Sequence, residues 1–400
     1  MPYYIRANIQ FMKNKYLIIA ISGCLVLFGI LCLIIRGGPI LGIDFSGGMM
    51  FTIKFNQPED IGEIRNTLSS LGLGDSVIQS IGNQNNEVQI RVKMPKAPKE
   101  KSEASMEQLL NTLSKQVVDA LRDKFDHGID KTNKLDLNML GADSLKDIFK
   151  AKNPLRLTEE NFATYDQYAI KIANKKLELG GIFSSFQPLE SIEGLPATLT
   201  RFVKEQFYLS TLIVEGVEIV GPHVSQDLQT KAFWATMFAL AGMLVYIWVR
   251  FEFLWGLSGV LFLFHDVLFT LGLFTLMNRE INLPVIAAFL TLIGYSINDT
   301  IVVFDRIREN LNVMRGKPLD WLINTSINQT LSRTLLTVLT VFFVAAMLFF
   351  FGGKTLNDFS FIVLIGILVG TFSSVASSTV ILLWRDHERN KKITAIASKK

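Results

Sequence analysis

Hydrophobic and polar positions divide the chain into three regimes. Residues 16–35 form one apolar run, residues 36–231 mix polar and apolar positions at strand and helix spacing, and residues 232–384 return to long apolar runs. A membrane-spanning helix needs about 20 mostly apolar residues at about 1.5 Å rise each. The pattern predicts six of them, at 16–35, 232–249, 253–277, 281–304, 334–352 and 359–384. Arg6, Lys13 and Lys15 ahead of the first run could open a signal peptide. The run is too long for one, however, and Arg36-Gly-Gly-Pro39 follows it in place of a small-residue cleavage site. A retained span is therefore expected.

The polar region reads as an α+β domain. Gly42-Ile-Asp-Phe-Ser-Gly-Gly48 leads into a strand at Met49–Phe55, and Pro58 and Glu59 open a helical spacing through Ile61, Ile64, Leu68 and Leu71. Ser76–Ile81 and Glu87–Lys93 read as strands around the turn-rich Gly82-Asn-Gln-Asn-Asn86. Glu107–Phe125 has apolar residues at helical spacing, and Thr211–Val220 reads as a strand ending at Gly221-Pro222. The order βαββαβ predicts a split-βαβ, ferredoxin-like domain. Residues 128–209 between the last helix and the last strand are too many for an ordinary connection, so an inserted subdomain is expected. It carries helical patterns around 143–150 and 158–179 and no catalytic constellation. His127 and His223 are expected at the surface or in turns, and Lys96–Lys101 as a solvated connector.

Composition agrees with a membrane chain: 49% of residues are hydrophobic, 30 are Phe, and the mean hydropathy is +0.33. A net charge of +4 leaves no strongly basic footprint for nucleic acid. Both cysteines, Cys24 and Cys32, lie in the first apolar run, which excludes a disulfide framework or a cysteine zinc site in the polar region. With the N-terminus (1–15) inside, the inner segments hold 15 Lys and Arg, and the two short outer loops hold only Arg279 and Lys354. That asymmetry places both termini, including the 385–400 tail, in the cytoplasm and residues 36–231 on the far side. The chain has no phosphate-binding loop and no dinucleotide fingerprint. No cofactor is expected, and an ion gradient is the remaining obvious energy source.

Ionisable residues inside apolar runs are His265, Asp266 and Asp299, with Arg333 at the start of the fifth. A charge at mid-bilayer costs at least about 2.5–3.5 kcal/mol, so function is the first hypothesis for such groups. Asp266 is near the centre of its run, and Asp299 lies roughly 10 Å toward the cytoplasmic side of the centre of its own. A carboxyl that alternates between a desolvated, protonated state and an ionised state beside Arg333 could carry a proton. The structural alternative is that Asp266 bonds a neighbouring helix and Asp299 simply pairs with Arg333. His265 reads as a packing residue. Gly366-xxx-Gly370 with Ser373, Ser374, Ser377 and Ser378 makes a small-residue face for close helix approach. Asp305-Arg-Ile-Arg-Glu309 reads as a cytoplasmic charge cluster, and Leu319–Leu331 as a helix lying along the inner membrane surface.

Gly294-Tyr-Ser-Ile-Asn-Asp-Thr-Ile-Val-Val-Phe-Asp-Arg-Ile-Arg-Glu-Asn310 resembles the signature of the SecF family of protein-export membrane subunits. Further matches follow in the family's order: Gly42–Gly48, Val220-Gly-Pro222, Arg250-Phe-Glu252, His265-Asp266, Arg333-Thr-Leu-Leu-Thr337, Phe351-Gly-Gly353 and Gly370-Thr-Phe-Ser-Ser374. The resemblance covers residues 1–127 and 210–385, and the 128–209 insertion departs from it. It implies a six-span, RND-like half that pairs with a SecD-like subunit beside the Sec translocon in the cytoplasmic membrane. Such a half would use the proton motive force on a translocating preprotein, and would not be an enzyme. It places proton conduction on Asp299 and Arg333; apart from the resemblance, the second candidates for a relay are Asp266, for the cost of burying it, and Asn298. The rival readings are an RND-like exporter of lipids or small molecules and an intramembrane aspartyl protease using Asp266 and Asp299. One polar domain and six spans disfavour the first, and the absence of a protease motif disfavours the second.

Overall fold

The computed structural model describes residues 9–81, 86–93, 103–251 and 253–397. The Gly82–Asn85 turn, the Lys96–Lys101 connector and Glu252 lie outside them. In chain order the elements begin with α1 (Lys15–Arg36), β1 (Ile40–Leu41), α2 (Ile43–Ser46), β2 (Gly48–Phe55), α3 (Ile61–Ser70), β3 (Val77–Ile81) and β4 (Glu87–Lys93). They continue with α4 (Glu103–Phe125), β5 (Leu135–Asp136), α5 (Ala142–Lys152), α6 (Ala163–Glu178), α7 (Gln187–Glu190), α8 (Ala197–Gln206), β6 (Phe207–Tyr208) and β7 (Leu212–Val220). The C-terminal half is α9 (Pro222–Arg250), α10 (Phe253–Leu276), β8 (Glu280–Ile281), α11 (Leu283–Val313), α12 (Leu319–Phe351) and α13 (Gly353–Ala397). The chain forms two compact units, one from Ser46 to Ser225 and one from the residues on either side.

In the α+β unit the strands pair in the order β3-β4-β2-β7, every neighbour antiparallel. Alternation along β2 sends Met49, Phe51, Ile53 and Phe55 to one face, where they are fully buried with Val88, Ile90 and Val92 of β4. Ile64 and Leu68 of α3 and Leu110, Val117 and Leu121 of α4 close that core. Helix α3 starts where the Asp60 carboxylate accepts the Gly62 amide at 2.9 Å. Arg91 of β4 is buried, and desolvation pulls its pKa down to about 10. His127 and His223 are both exposed.

The 128–209 segment has a core of its own, formed among others by Leu145, Phe149, Tyr165, Ile172, Leu199 and Phe207. Its join to β7 is polar and buried. The Asn138 side chain donates to Phe183 O and Ser210 O, both at 3.0 Å, and accepts the Phe183 amide at 2.8 Å. Asp136 accepts the Ser210 amide at 3.3 Å, and Asp126 the Thr211 amide at 2.7 Å. Lys176 donates to Asn138 O and Leu140 O, and burial lowers its pKa. Asn138→Ala would orphan three backbone groups, each worth about 1–3 kcal/mol when buried unpaired. The expected loss is about 3 kcal/mol of local stability. Exchange of the Phe183 amide should then speed up on the order of a hundredfold, while amides of β2 and β4 exchange as before.

The helical unit contains, among the described residues, six helices long and apolar enough to cross a membrane: Met12–Arg36, Pro222–Arg250, Trp255–Leu276, Leu283–Val313, Leu319–Phe351 and Leu356–Val380. The last is the most buried and packs against α1, α10, α11 and α12. Helices α1 and α10 meet backbone to backbone, since a Cβ on Gly272 would lie 2.4 Å from Gly29 O. Helix α11 is held at its start by Asn282, which accepts the Val285 amide at 3.1 Å, and by Asp44 of the Gly42–Gly48 motif, which accepts the Leu283 amide at 2.8 Å.

Several helices run past the apolar stretches that predict them. Leu319–Leu331 is not a separate surface helix but the first part of α12, which at 33 residues is about 50 Å long. No Gly or Pro interrupts it, and Leu322, Ile323, Ser326 and Ile327 are buried on one face. The outer loop expected at 353–358 is replaced by a turn at Gly352. Gly353 there has φ +71°, a conformation open to glycine at little cost, and α13 follows at once and continues through Ala397.

Candidate functional site

Asp266 of α10 is completely buried, and residues of three helices are tied together at its carboxylate. Oδ2 accepts the Ser296 hydroxyl of α11 at 2.5 Å and the Ser373 hydroxyl of α13 at 2.7 Å. Oδ1 faces Nδ1 of His265 at 2.9 Å. Close approach of α13 depends on Gly370, whose missing Cβ would stand 3.3 Å from the Ser296 Cβ and 3.6 Å from Asp266 Oδ2. Four bonding positions on the carboxylate thus receive three hydrogen-bonding groups, which offsets much of the cost of burying it.

Asp299 is held differently. It is 3% exposed, one turn beyond Ser296 on α11. Its Oδ1 accepts the Thr334 hydroxyl at 3.3 Å, and its Oδ2 is buried without a hydrogen-bond partner. The expected ion pair with Arg333 is not formed: no Arg333 nitrogen comes within 4.0 Å of the Asp299 carboxylate, and Arg333 is exposed. The helical turn explains this. Thr334 is buried on the face of α12 that meets α11, which turns its neighbour Arg333 away. Asn298 is exposed as well, so Asp266 and Asp299 are linked only through α11, where Ser296 bonds Asp266 three residues before Asp299, and neither Asn298 nor Arg333 bonds either carboxylate.

The donors that sequence reading missed are Ser296, Ser373 and Thr334, together with His265 as a partner of Asp266. Ser373 reads as packing on a small-residue face, and Ser296 sits unremarked in the Gly294–Asn310 run. A hydroxyl in an apolar run carries no signal of which helix it will face.

Further along α11 the charge cluster is a lattice between elements. Arg250 pairs with Asp305 at 2.6 Å, Arg306 donates to Gln329 at 2.6 Å, and Asn310 donates to Ser326 and Gln329, both at 2.8 Å. Asn324 and Asn328 of α12 bond the backbone of Ile9 and Met12. Among the described residues no three His, Cys, Asp or Glu side chains come together as a metal site.

The profile described as Protein export membrane protein SecD/SecF, C-terminal, matches residues 204–388, and that of the SecD/SecF GG motif matches residues 34–59. The Protein translocase subunit SecF of Koribacter versatilis is 39% identical over all of this chain and 98% of its own length. The chain belongs to the SecF family. The SecF subunit of Desulfurispirillum indicum is 34% identical over 94% of this chain and 92% of its own. The crystal structure of SecDF, a translocon-associated membrane protein from Thermus thermophilus, is similar at 25% identity with a TM-score of 0.62. It is matched over 96% of this chain, and this chain spans 40% of it. The SecF C-terminal match contains Asp266, Ser296, Asp299, Thr334 and Ser373. Most of the insertion lies between the two matched regions.

Proposed function

We propose that this chain is the SecF-like half of a proton-driven Sec export device, pairing with a SecD-like subunit to promote preprotein translocation across the cytoplasmic membrane. The observation that carries the proton role is the Asp299 carboxyl, buried in a spanning helix with one oxygen left without a partner. A group whose every position is bonded is expensive to protonate and release; Asp299 has a free position. Asp299 is thus the proton carrier, with Arg333 the nearby cation that biases its charge state.

Pairing is supported by what the helical unit leaves uncovered. Arg333 and Asn298 are exposed among apolar surfaces such as Leu335, Leu336 and Leu339 of α12. An exposed cation in hydrocarbon is costly, so a second set of helices covers this face. The α+β unit, whose strand order β3-β4-β2-β7 supports the ferredoxin-like reading, works outside the cytoplasmic membrane on the emerging preprotein. The test is translocation in membrane vesicles depleted of this chain. Restoring it should restore stimulation by an imposed proton gradient and should bring down a SecD-like subunit on crosslinking. Equal translocation with and without the chain would refute the reading.

Orientation has its own test. Reporters fused at Asn357 and after Lys400 should report opposite sides of the membrane, with Lys400 cytoplasmic. Both on one side would overturn the six-span arrangement.

A further inference from the structure

We propose that His265 and Asp266 form a second proton-binding site in the helical unit, a carboxylate–imidazole pair that gains and loses one proton separately from Asp299. The proposal rests on reading Asp299 as the proton-coupled carboxyl, because a second site matters to that exchange.

The bonding inventory selects the atom. Oδ2 accepts the Ser296 hydroxyl at 2.5 Å, and the single hydrogen of the Ser373 hydroxyl lies between Oδ2 at 2.7 Å and Gly370 O at 2.9 Å. Oδ1, 2.9 Å from His265 Nδ1, can exchange a proton while both serine contacts to Oδ2 stay as they are. His265 is itself 4% exposed, and its Nε2 is buried with no hydrogen-bond partner. The pair therefore has two states. In one, Asp266 is ionised and His265 carries hydrogen on Nδ1 alone. In the other, a proton from water has bonded to the Nε2 lone pair, the Nδ1–H bond has broken as an Oδ1–H bond formed, and both groups are neutral. Release runs in reverse.

The surroundings leave the pair to itself. Away from their ends, the helices packed on α10 bring as ionisable groups only Cys24 and Cys32 from α1 and Tyr295 and Asp299 from α11. The buried stretch of α13 from Ile362 to Thr379 brings none, and Arg333 of α12 is exposed. No Lys or Arg within 4.0 Å neutralises Asp266. Ser296, bonded to Asp266, lies three residues before Asp299 on the same face of α11 and accepts the Thr300 hydroxyl at its carbonyl, 3.1 Å away.

The experiment is a nitrogen-15 histidine NMR titration of the full chain in lipid nanodiscs, with His127, His223 and His387 each replaced by Gln so that His265 alone reports. The His265 ring nitrogens should exchange the Nδ1–H for the Nε2–H form as the pH is lowered, and should still do so in Asp299→Asn. In Asp266→Asn that exchange of tautomers should be lost, because no carboxylate remains to take the Nδ1 hydrogen. Pulldown of the SecD-like partner checks that each variant is folded. Resonances that do not change with pH would make Asp266 a fixed anchor and overturn the proposal. So would a titration that vanishes in Asp299→Asn, since it would then belong to that carboxyl. Failure of the Asp299 reading is a separate result: gradient-dependent translocation unchanged in Asp299→Asn.

Discussion

Asp299→Asn is expected to reduce gradient-stimulated preprotein translocation to the level measured without a gradient, while expression and partner binding persist. Asparagine has nearly the shape of aspartate and keeps an oxygen for the Thr334 hydroxyl, now at 3.3 Å. Its amide nitrogen takes the place of the oxygen that has no partner, so no existing bond is broken. Any folding penalty is confined to one buried N–H pair, about 1–3 kcal/mol. What asparagine cannot do is titrate. Asp299→Glu, with a carboxyl on a longer arm, should keep part of the activity. Arg333→Ala should impair translocation without abolishing it, because the guanidinium acts on Asp299 through space and not through an ion pair. Arg333→Lys should fall between, keeping the charge but not the planar fork. The measurement is translocation in vesicles with and without an imposed proton gradient. Wild-type gradient dependence in Asp299→Asn would falsify the carrier role.

Gly272→Leu is expected to be the most damaging single change in the helical unit. The ideal Cβ of residue 272 would lie 2.4 Å from Gly29 O and 2.5 Å from Gly29 Cα, and a Cβ on Gly29 would lie 2.6 Å from Leu268 O. These obstacles are backbone atoms, which cannot swing aside as a side chain can. The two helices must separate, and van der Waals packing is much of what joins helices in lipid. Overpacking costs about 1–3 kcal/mol for small additions, so Gly29→Ala should cost about that much and Gly272→Leu more. Gly23→Ala on the same helix is the control, for nothing lies within 4 Å of its Cβ position. Alanine there should be neutral or slightly stabilising by helix propensity. Thermal unfolding of the three variants in one detergent ranks them. A Gly272→Leu protein as stable as Gly23→Ala would mean that α1 and α10 do not meet at these glycines. Gly366 is a milder case, since its Cβ would meet only the flexible tip of Leu292.

The apolar runs at 16–35 and 232–384 sufficed to predict six spanning helices, because length and solubility in hydrocarbon are sums over neighbouring residues. The same local logic marked Met49–Phe55 as a strand by its alternation, and marked His265, Asp266, Asp299 and Arg333 as unusual by the cost of a charge in an apolar run. The Gly294–Asn310 signature pointed to the family. Tertiary structure alone decided what those groups touch. Asp266 is bonded by Ser296, 30 positions away, and by Ser373, 107 positions away, and no spacing rule joins such residues. Whether α12 turns Thr334 or Arg333 toward Asp299 depends on the rotation of one helix about its axis by a single residue, about 100°. Its pattern leaves that rotation open, because apolar residues lie all around it. The meeting of Gly29 with Gly272 and the Asn138 bonds at Phe183 and Ser210 are of the same kind. Helix existence is a local sum, whereas helix rotation and crossing are settled only when every buried donor must find its acceptor at once.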